Sequence, residues 1–344
     1  MTYTPPAFAA FDADLALRLR AKIDGKAKPP GSLGRIEDLA VQIGLVQQTE
    51  TPAIDRIEAY VFAGDHGMNA DGVSAYPSAV TVAMVATFLA GRASVNAFAR
   101  ACDVEVIVVD AGVDADLAPH PALIDAKVRR GSRNAADEPA LTGAEVEHAL
   151  RRGAEIAAAS LAQALILGEM GIGNTASAAL ILHRLAPAPL EDCIGVGAGH
   201  DAEGLKRKTA VLARAAARTD AAAPLEVLRE FGGLEIARMA GAFLGGAAAG
   251  KLMIVDGFIS SAAALVAARM APGLTERLVF AHASAERGHR LLLAALGAAP
   301  LLDLGMRLGE GSGGVLAAPL VRAAARLMTE TASLDDVLAG TIAP

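Results

Sequence analysis

Leu165-Ile166-Leu167-Gly168-Glu169-Met170-Gly171-Ile172-Gly173-Asn174-Thr175 is a short apolar run that breaks into a glycine-rich turn and reopens as an Ala-rich helical stretch reaching Leu185. Strand, loop and helix in that order make one unit of a parallel sheet. Where such a turn feeds a helix N-terminus, free N–H groups and the helix dipole favour an anion. The turn lacks the Gly-Lys-Ser/Thr ending of a P-loop. It therefore suits a monophosphate better than a metal-bound triphosphate.

The same alternation repeats outward from this unit. Ile57 to Ala63 reads as a buried strand ending in Gly64-Asp65-His66-Gly67, and Val104 to Val109 as another ending in Asp110-Ala111-Gly112. Leu252 to Val255 runs into Asp256-Gly257-Phe258, and Arg277 to Ala281 into His282-Ala283-Ser284-Ala285-Glu286. Helices are expected between them: a long one from about Ser78 to Ala101, one from Thr142 to about Leu161 with Glu145 at capping-box spacing, and 225–248, broken at Gly232-Gly233. The fold class is thus α/β, a doubly wound, mostly parallel sheet with helices on both faces. Loops 64–67, 168–175, 195–201, 256–258 and 282–286 should gather beyond the carboxyl ends of the strands, where such sheets bind ligands. Asp65 and His66 are candidates for ribose or base contacts, or else form a capped turn.

The chain ends read differently. Residues 8–24 and a second run to about Gln48 carry apolar positions at helical spacing. Lys28-Pro29-Pro30-Gly31 between them is either a rigid connector or the edge of a phosphate or ring pocket, with Ser32 as the expected cap of the second helix. With the run from Val315 to Met328, these segments should form a smaller helical domain of residues 1–50 and 300–344, leaving 51–299 as a large α/β nucleotide-binding domain. Residues 114–140 read as a solvated excursion or strand hairpin, although Lys127, Arg129, Arg130 and Arg133 leave a phosphate contact open.

Arg307-Leu308-Gly309-Glu310-Gly311-Ser312-Gly313-Gly314 sets one carboxylate among four glycines just before the last long helix. It is either a solvated turn or a loop that lets a ligand come close. Partial burial there would raise the Glu310 pKa and make it a better base near neutral pH.

The 344 residues are 53% apolar, which is enough for a large core. Net charge −7, aromatics at 3% and no Trp argue against a nucleic-acid surface. The apolar stretches are interrupted by charges, the first residues carry no secretory pattern, and Cys102 and Cys193 make no metal or disulfide pattern. A cytoplasmic enzyme or binding protein, not bound to membrane, fits these features.

Taken in order, Lys28-Pro-Pro-Gly-Ser-Leu-Gly, Phe62-Ala-Gly-Asp-His-Gly, Gly72-Val-Ser-Ala-Tyr-Pro, Gly168-Glu-Met-Gly-Ile-Gly-Asn-Thr, Gly197-Ala-Gly-His-Asp, Asp256-Gly-Phe-Ile-Ser and Arg307-Leu-Gly-Glu-Gly-Ser-Gly make the chain resemble the nicotinate-nucleotide–dimethylbenzimidazole phosphoribosyltransferases over nearly its whole length. The resemblance implies transfer of the phosphoribosyl group of nicotinate mononucleotide to 5,6-dimethylbenzimidazole. The products are nicotinate and α-ribazole 5′-phosphate, inverted at C1′, in nucleotide-loop assembly for cobalamin. It implies Glu310 as the base and Glu169 as a second catalytic carboxylate. Gly173, Asn174, Thr175 and Lys208 fall on the phosphate side, with Lys206 two residues away as a rival. Ser74, Asp256, Gly257, Ser284, Gly309 and Gly311 are the remaining expected substrate contacts. One departure is Arg287, where the family block after Ser-Ala-Glu commonly has Pro. A homodimer is implied, with no cofactor and no metal, since the pyridinium leaves without an acid and there is no pyrophosphate to neutralise. A non-catalytic nucleotide- or benzimidazole-binding protein, a hydrolase and transfer to another base such as adenine are the alternatives. A diphosphate-dependent phosphoribosyltransferase is not, because Val109-Asp110-Ala111-Gly112 lacks the paired acids and Thr-Gly loop it needs.

Overall fold

The computed structural model describes residues 3–186, 188–197 and 199–342. Ala198, in the Gly197–Asp201 block, lies outside them, as do the outermost residues of the 1–50 and 300–344 segments. Six strands, β1 (Ile57–Gly64), β2 (Glu105–Gly112), β3 (Leu123–Asp125), β4 (Ala164–Met170), β5 (Leu252–Val255) and β6 (Leu278–Phe280), form one sheet in the order β3-β2-β1-β4-β5-β6. Every pairing is parallel. The order reverses between β1 and β4, whose partners run from Ile57–Ala164 to Ala63–Met170. Ligands of such sheets bind at that reversal, beyond the carboxyl ends of the strands.

Strand alternation divides the core in two. Tyr60 and Phe62 of β1 face one apolar cluster, while Ile57, Ala59, Val61 and Ala63 face the other. Helices Gly143–Ala159, Asn174–Leu185, Leu234–Ala248 and Phe258–Met270 cover the first face. The second is covered by Ala79–Leu89, Ser94–Ala101 and the terminal helices Ala13–Asp24, Arg35–Gln47 and Ser312–Glu330. The ends meet where Ala27 N donates to Ala332 O at 2.9 Å and Lys26 bridges Ser333. Leu15, Leu19 and Ile23, one turn apart, and Val315, Ala318 and Val321 belong to the same buried cluster as that sheet face.

Three expectations need correction. The long helix over 78–101 is two helices, because the chain turns at Gly91 (φ 69) and restarts where Ala93 N donates to Asn96 Oδ1 at 3.1 Å. The stretch Ala79–Ala101 has the length and apolarity of a membrane span by composition, but it folds as these two short pieces. Second, the excursion after β2 contains β3, a three-residue edge strand parallel to β2 and not half of a hairpin. Its basic residues are paired: Arg133 grips Glu145 (2.7 Å), Lys127 meets Asp110 (3.0 Å) and Arg130 meets Asp116. Third, Ser32 caps nothing. The helix begins at Arg35, and Glu37 from its first turn accepts from Gly31 N (3.1 Å) and Leu33 N (2.9 Å) while pairing with Lys28 Nζ at 2.8 Å. Lys28 is thereby committed to a connector.

A carboxylate-lined pocket over the sheet reversal

The loops after β4, β5 and β6 and the turn before helix Ser312–Glu330 enclose a cavity of about 440 Å³. Ser74, Glu169, Gly173, Asn174, Thr175, Asp256, Gly257, Ser284, Gly309 and Glu310 all line it. Lys208 and Gly311 stand directly behind the lining. Asp65 and His66 do not reach it. His66 is buried beneath the Gly173 turn, with Nε2 2.6 Å from Glu235 Oε1 and Nδ1 3.0 Å from Ser177 Oγ. Asp65 Oδ2 accepts from Asp114 N at 2.8 Å. These two brace the loops and do not form the pocket wall.

At one end, helix Asn174–Leu185 opens after Gly173, whose φ of 97° suits only glycine. Lys208, on helix Ala202–Ala217, donates to Thr175 Oγ1 (2.9 Å) and Gly195 O (3.1 Å) and is fully buried. Burial lowers its pKa to about 8, against the pull of Glu286. Lys206 lies exposed on the same helix. Gly197 (φ 56) passes so close that a Cβ there would lie 3.0 Å from Thr175 Oγ1 and 3.3 Å from Lys208 Nζ. Its carbonyl takes a bond from Arg307 Nη1 at 3.1 Å. A helix N-terminus and a hydroxyl, with an ammonium directly behind the hydroxyl, thus make one corner of the cavity favourable to an anion.

At the other end stand the acids. Burial pushes Glu310 up to about 7, with Asp256 adding to the shift and the Val95 backbone N–H opposing it. One of its oxygens, Oε2, is buried without a hydrogen-bond partner among the described residues. Glu169, at the end of β4, is pushed up to about 8 by burial and then by Glu235 and Asp256, against a hydrogen bond from Asn174 Nδ2. The Asn174 side chain is therefore turned to Glu169 and not to the phosphate corner. Gly309 is glycine because a Cβ there would strike Glu169 Oε1. Burial likewise raises Asp256. Between the two ends, Tyr76, Val80, Met84, Met170, Ile172 and Leu308 provide an apolar wall, so part of the Ala75 to Met84 segment does face the ring side.

Ser284 N donates to His289 Nδ1 at 2.8 Å, and His289 Nε2 lies 3.0 Å from Ser261 Oγ. Burial lowers the His289 pKa to about 3, so its Nδ1 remains an acceptor at neutral pH. Arg287 turns outward to Asp192 Oδ1 at 2.7 Å. Glu235, His282 and the part played by Arg307 are not marked in the sequence. Glu235 is one acid in an Ala- and Gly-rich helix that no local pattern singles out.

The raised Glu169 carries a stability consequence. The unfolded chain releases this proton near the ordinary 4.5 and the folded chain only near 8. Between those values the folded state holds a proton the unfolded state has lost, so this group's contribution falls as pH rises. Glu169→Gln keeps the volume and cannot ionise. Its melting temperature should match wild type at about pH 5 and exceed it at about pH 8.5, by the equivalent of a few kcal/mol. A variant less stable than wild type at both pH values would show that the carboxylate is not held neutral.

The pocket at the sheet reversal thus combines a helix N-terminus, an apolar wall and buried acids of raised proton affinity. The chain matches the family described as Phosphoribosyltransferase over residues 8–338 and belongs to it. A nicotinate-nucleotide–dimethylbenzimidazole phosphoribosyltransferase of Ralstonia nicotianae is 54% identical over 342 residues, 98% of this chain and 97% of its own. The Cupriavidus taiwanensis protein of the same name is 49% identical over 96% of this chain and 97% of its own. The solved structure of CobT from Thermus thermophilus superposes with a TM-score of 0.91 at 45% identity, over 94% of this chain and 98% of its own. The chain is a phosphoribosyltransferase.

Proposed function

We propose that the enzyme transfers the phosphoribosyl group of nicotinate mononucleotide to 5,6-dimethylbenzimidazole in assembly of the cobalamin lower ligand. Names shared by relatives across their full length support this reading. The site supports it further with a phosphate corner at Thr175 and Lys208 and an apolar wall for a flat ring. The observation that carries the mechanism is Glu310, a pocket-lining carboxylate with one buried oxygen that has no hydrogen-bond partner among the described residues.

One ring nitrogen of the benzimidazole attacks C1′ through its lone pair as the C1′–N bond to nicotinate breaks. The bonding pair returns to the nicotinate ring, which was cationic and leaves neutral at nitrogen. The proton on the other benzimidazole nitrogen passes to Glu310. Attack opposite the leaving group inverts C1′ and yields the α-riboside. Glu169, which burial keeps largely protonated at neutral pH, lies against Gly309 and helps orient the turn that carries Glu310. Gly173, Thr175 and Lys208 hold the phosphate, Asn174 orients Glu169, and Ser74, Gly257, Ser284 and Gly309 close the walls. Holding ring and C1′ in line accounts for much of the remaining acceleration.

Nicotinate release should depend on the acceptor. The enzyme with nicotinate mononucleotide alone should release almost none, and adding dimethylbenzimidazole should start release. Equal release without the acceptor would make the protein a hydrolase. Tight binding of both ligands without release would make it a binding protein.

A homodimer belongs to the same reading. Leu334, Val337 and Leu338 lie exposed on one side of the last helix and offer an apolar surface for it. A monomer mass by sedimentation would remove that element. A cytoplasmic location is consistent with Cys102 and Cys193, which are both free; fractionation of the native host would test it.

A further inference from the structure

Gly309, Glu310 and Gly311 have φ values of 85°, 65° and 84°, three successive residues in the left-handed region. Glycine adopts this readily, but a residue with a Cβ does not. Among the described residues only Gln48 and Asp103 share it without being glycine. Gln48 ends a helix, a common place for that conformation. Glu310 instead leads into one. A side chain held this way needs surroundings that over-determine it.

Helix Ser312–Glu330 supplies no side-chain cap of its own. The acceptor comes from another part of the chain. Asp256, just past β5, takes Gly311 N on Oδ2 at 3.1 Å and Gly314 N on Oδ1 at 2.9 Å. It is fixed from behind: Asp256 N donates to Ser260 Oγ (3.3 Å), which donates to Leu167 O (2.8 Å). His282 Nε2 lies 3.9 Å from Asp256 Oδ1. Its ring fills the space between Gly257 and Gly313, where a Cβ on Gly257 would come within 3.1 Å and one on Gly313 would collide. On the sheet side the turn rests against Gly168, whose missing Cβ leaves room for Gly311.

We infer that Asp256 is a positioning residue: it holds the Gly309–Gly311 turn in its left-handed form and so aims the Glu310 carboxylate. This rests on the reading of Glu310 as the base. It departs from the expectation that Asp256 binds substrate. Asp256 borders the cavity, but each of its oxygens already accepts a backbone N–H, one from the base-bearing turn and one from the first turn of the helix it opens. Its negative charge also contributes to the raised proton affinity of Glu310.

The test combines kinetics with amide exchange. Asp256→Asn should lower kcat about 10- to 100-fold, the scale of a misplaced catalytic group, and leave KM for nicotinate mononucleotide within about threefold. In a Glu310→Gln background the same change should cost less than about threefold more, because the two residues act as a unit. In the wild type the Gly311 and Gly314 amides should exchange slowly, and in Asp256→Asn faster. A tenfold rise in KM with kcat kept, or a full additional loss in the double variant, would return Asp256 to substrate binding. Fast exchange of both amides in the wild type would overturn the inference even if the variant fails to fold. If the wild type makes no riboside, the reading of Glu310 fails, while the exchange data still judge the hold on the turn.

Discussion

Glu310→Gln is expected to lower kcat by about 10²- to 10⁴-fold, the range for loss of a general base, with little change in KM for nicotinate mononucleotide. Glutamine matches glutamate in size, so the turn and its bonds to Asp256 should persist. What it cannot do is accept the ring proton. The pH dependence should separate this loss from a structural one. With Glu310 at about 7, wild-type kcat/KM should fall below that pH as the base becomes protonated and level off above it. In the variant the residual rate should lose that limb. A variant with wild-type kcat, or with the same acid limb, would assign the proton to another group; Glu169 is the next acid in the pocket.

Lys208→Met should act at the opposite end of the substrate. Losing a charge-assisted bond to phosphate costs about 1.5–3 kcal/mol, so KM for nicotinate mononucleotide should rise about 10- to 100-fold. The fold should not suffer, since Lys208 is buried at a desolvation cost and methionine fills similar space. Nicotinate riboside, which lacks the phosphate, provides the control. Wild type should prefer the mononucleotide strongly, and the variant should lose most of that preference. An unchanged preference would make Lys208 a structural tie between Thr175 and Gly195.

Much of this was legible in the chain because the decisive elements are local. Leu165 to Thr175 shows strand, turn and helix within one short segment, and four similar units repeat the message. Glycines marked the loops because backbone must pass close to backbone or carboxylate there, as Gly309 does beside Glu169. The edge strand Leu123–Asp125 was hidden because three residues carry no periodicity and gain their hydrogen bonds only from β2. The break at Gly91 was hidden because apolar residues continue on both sides of it. Pairings distant in sequence were also unreadable. Nothing near Asp256 announces that its carboxylate meets Gly311, 55 residues later. His66 looked like a ligand-loop residue until Glu235, 169 residues away, proved to be its partner.

The most direct test of the central claim is product analysis of the wild-type enzyme given nicotinate mononucleotide and 5,6-dimethylbenzimidazole, with nicotinate and riboside quantified together and the anomeric configuration assigned by NMR. Equal amounts of nicotinate and α-ribazole 5′-phosphate are expected. A β-riboside, or nicotinate accompanied by free ribose 5-phosphate, would contradict in-line transfer assisted by Glu310.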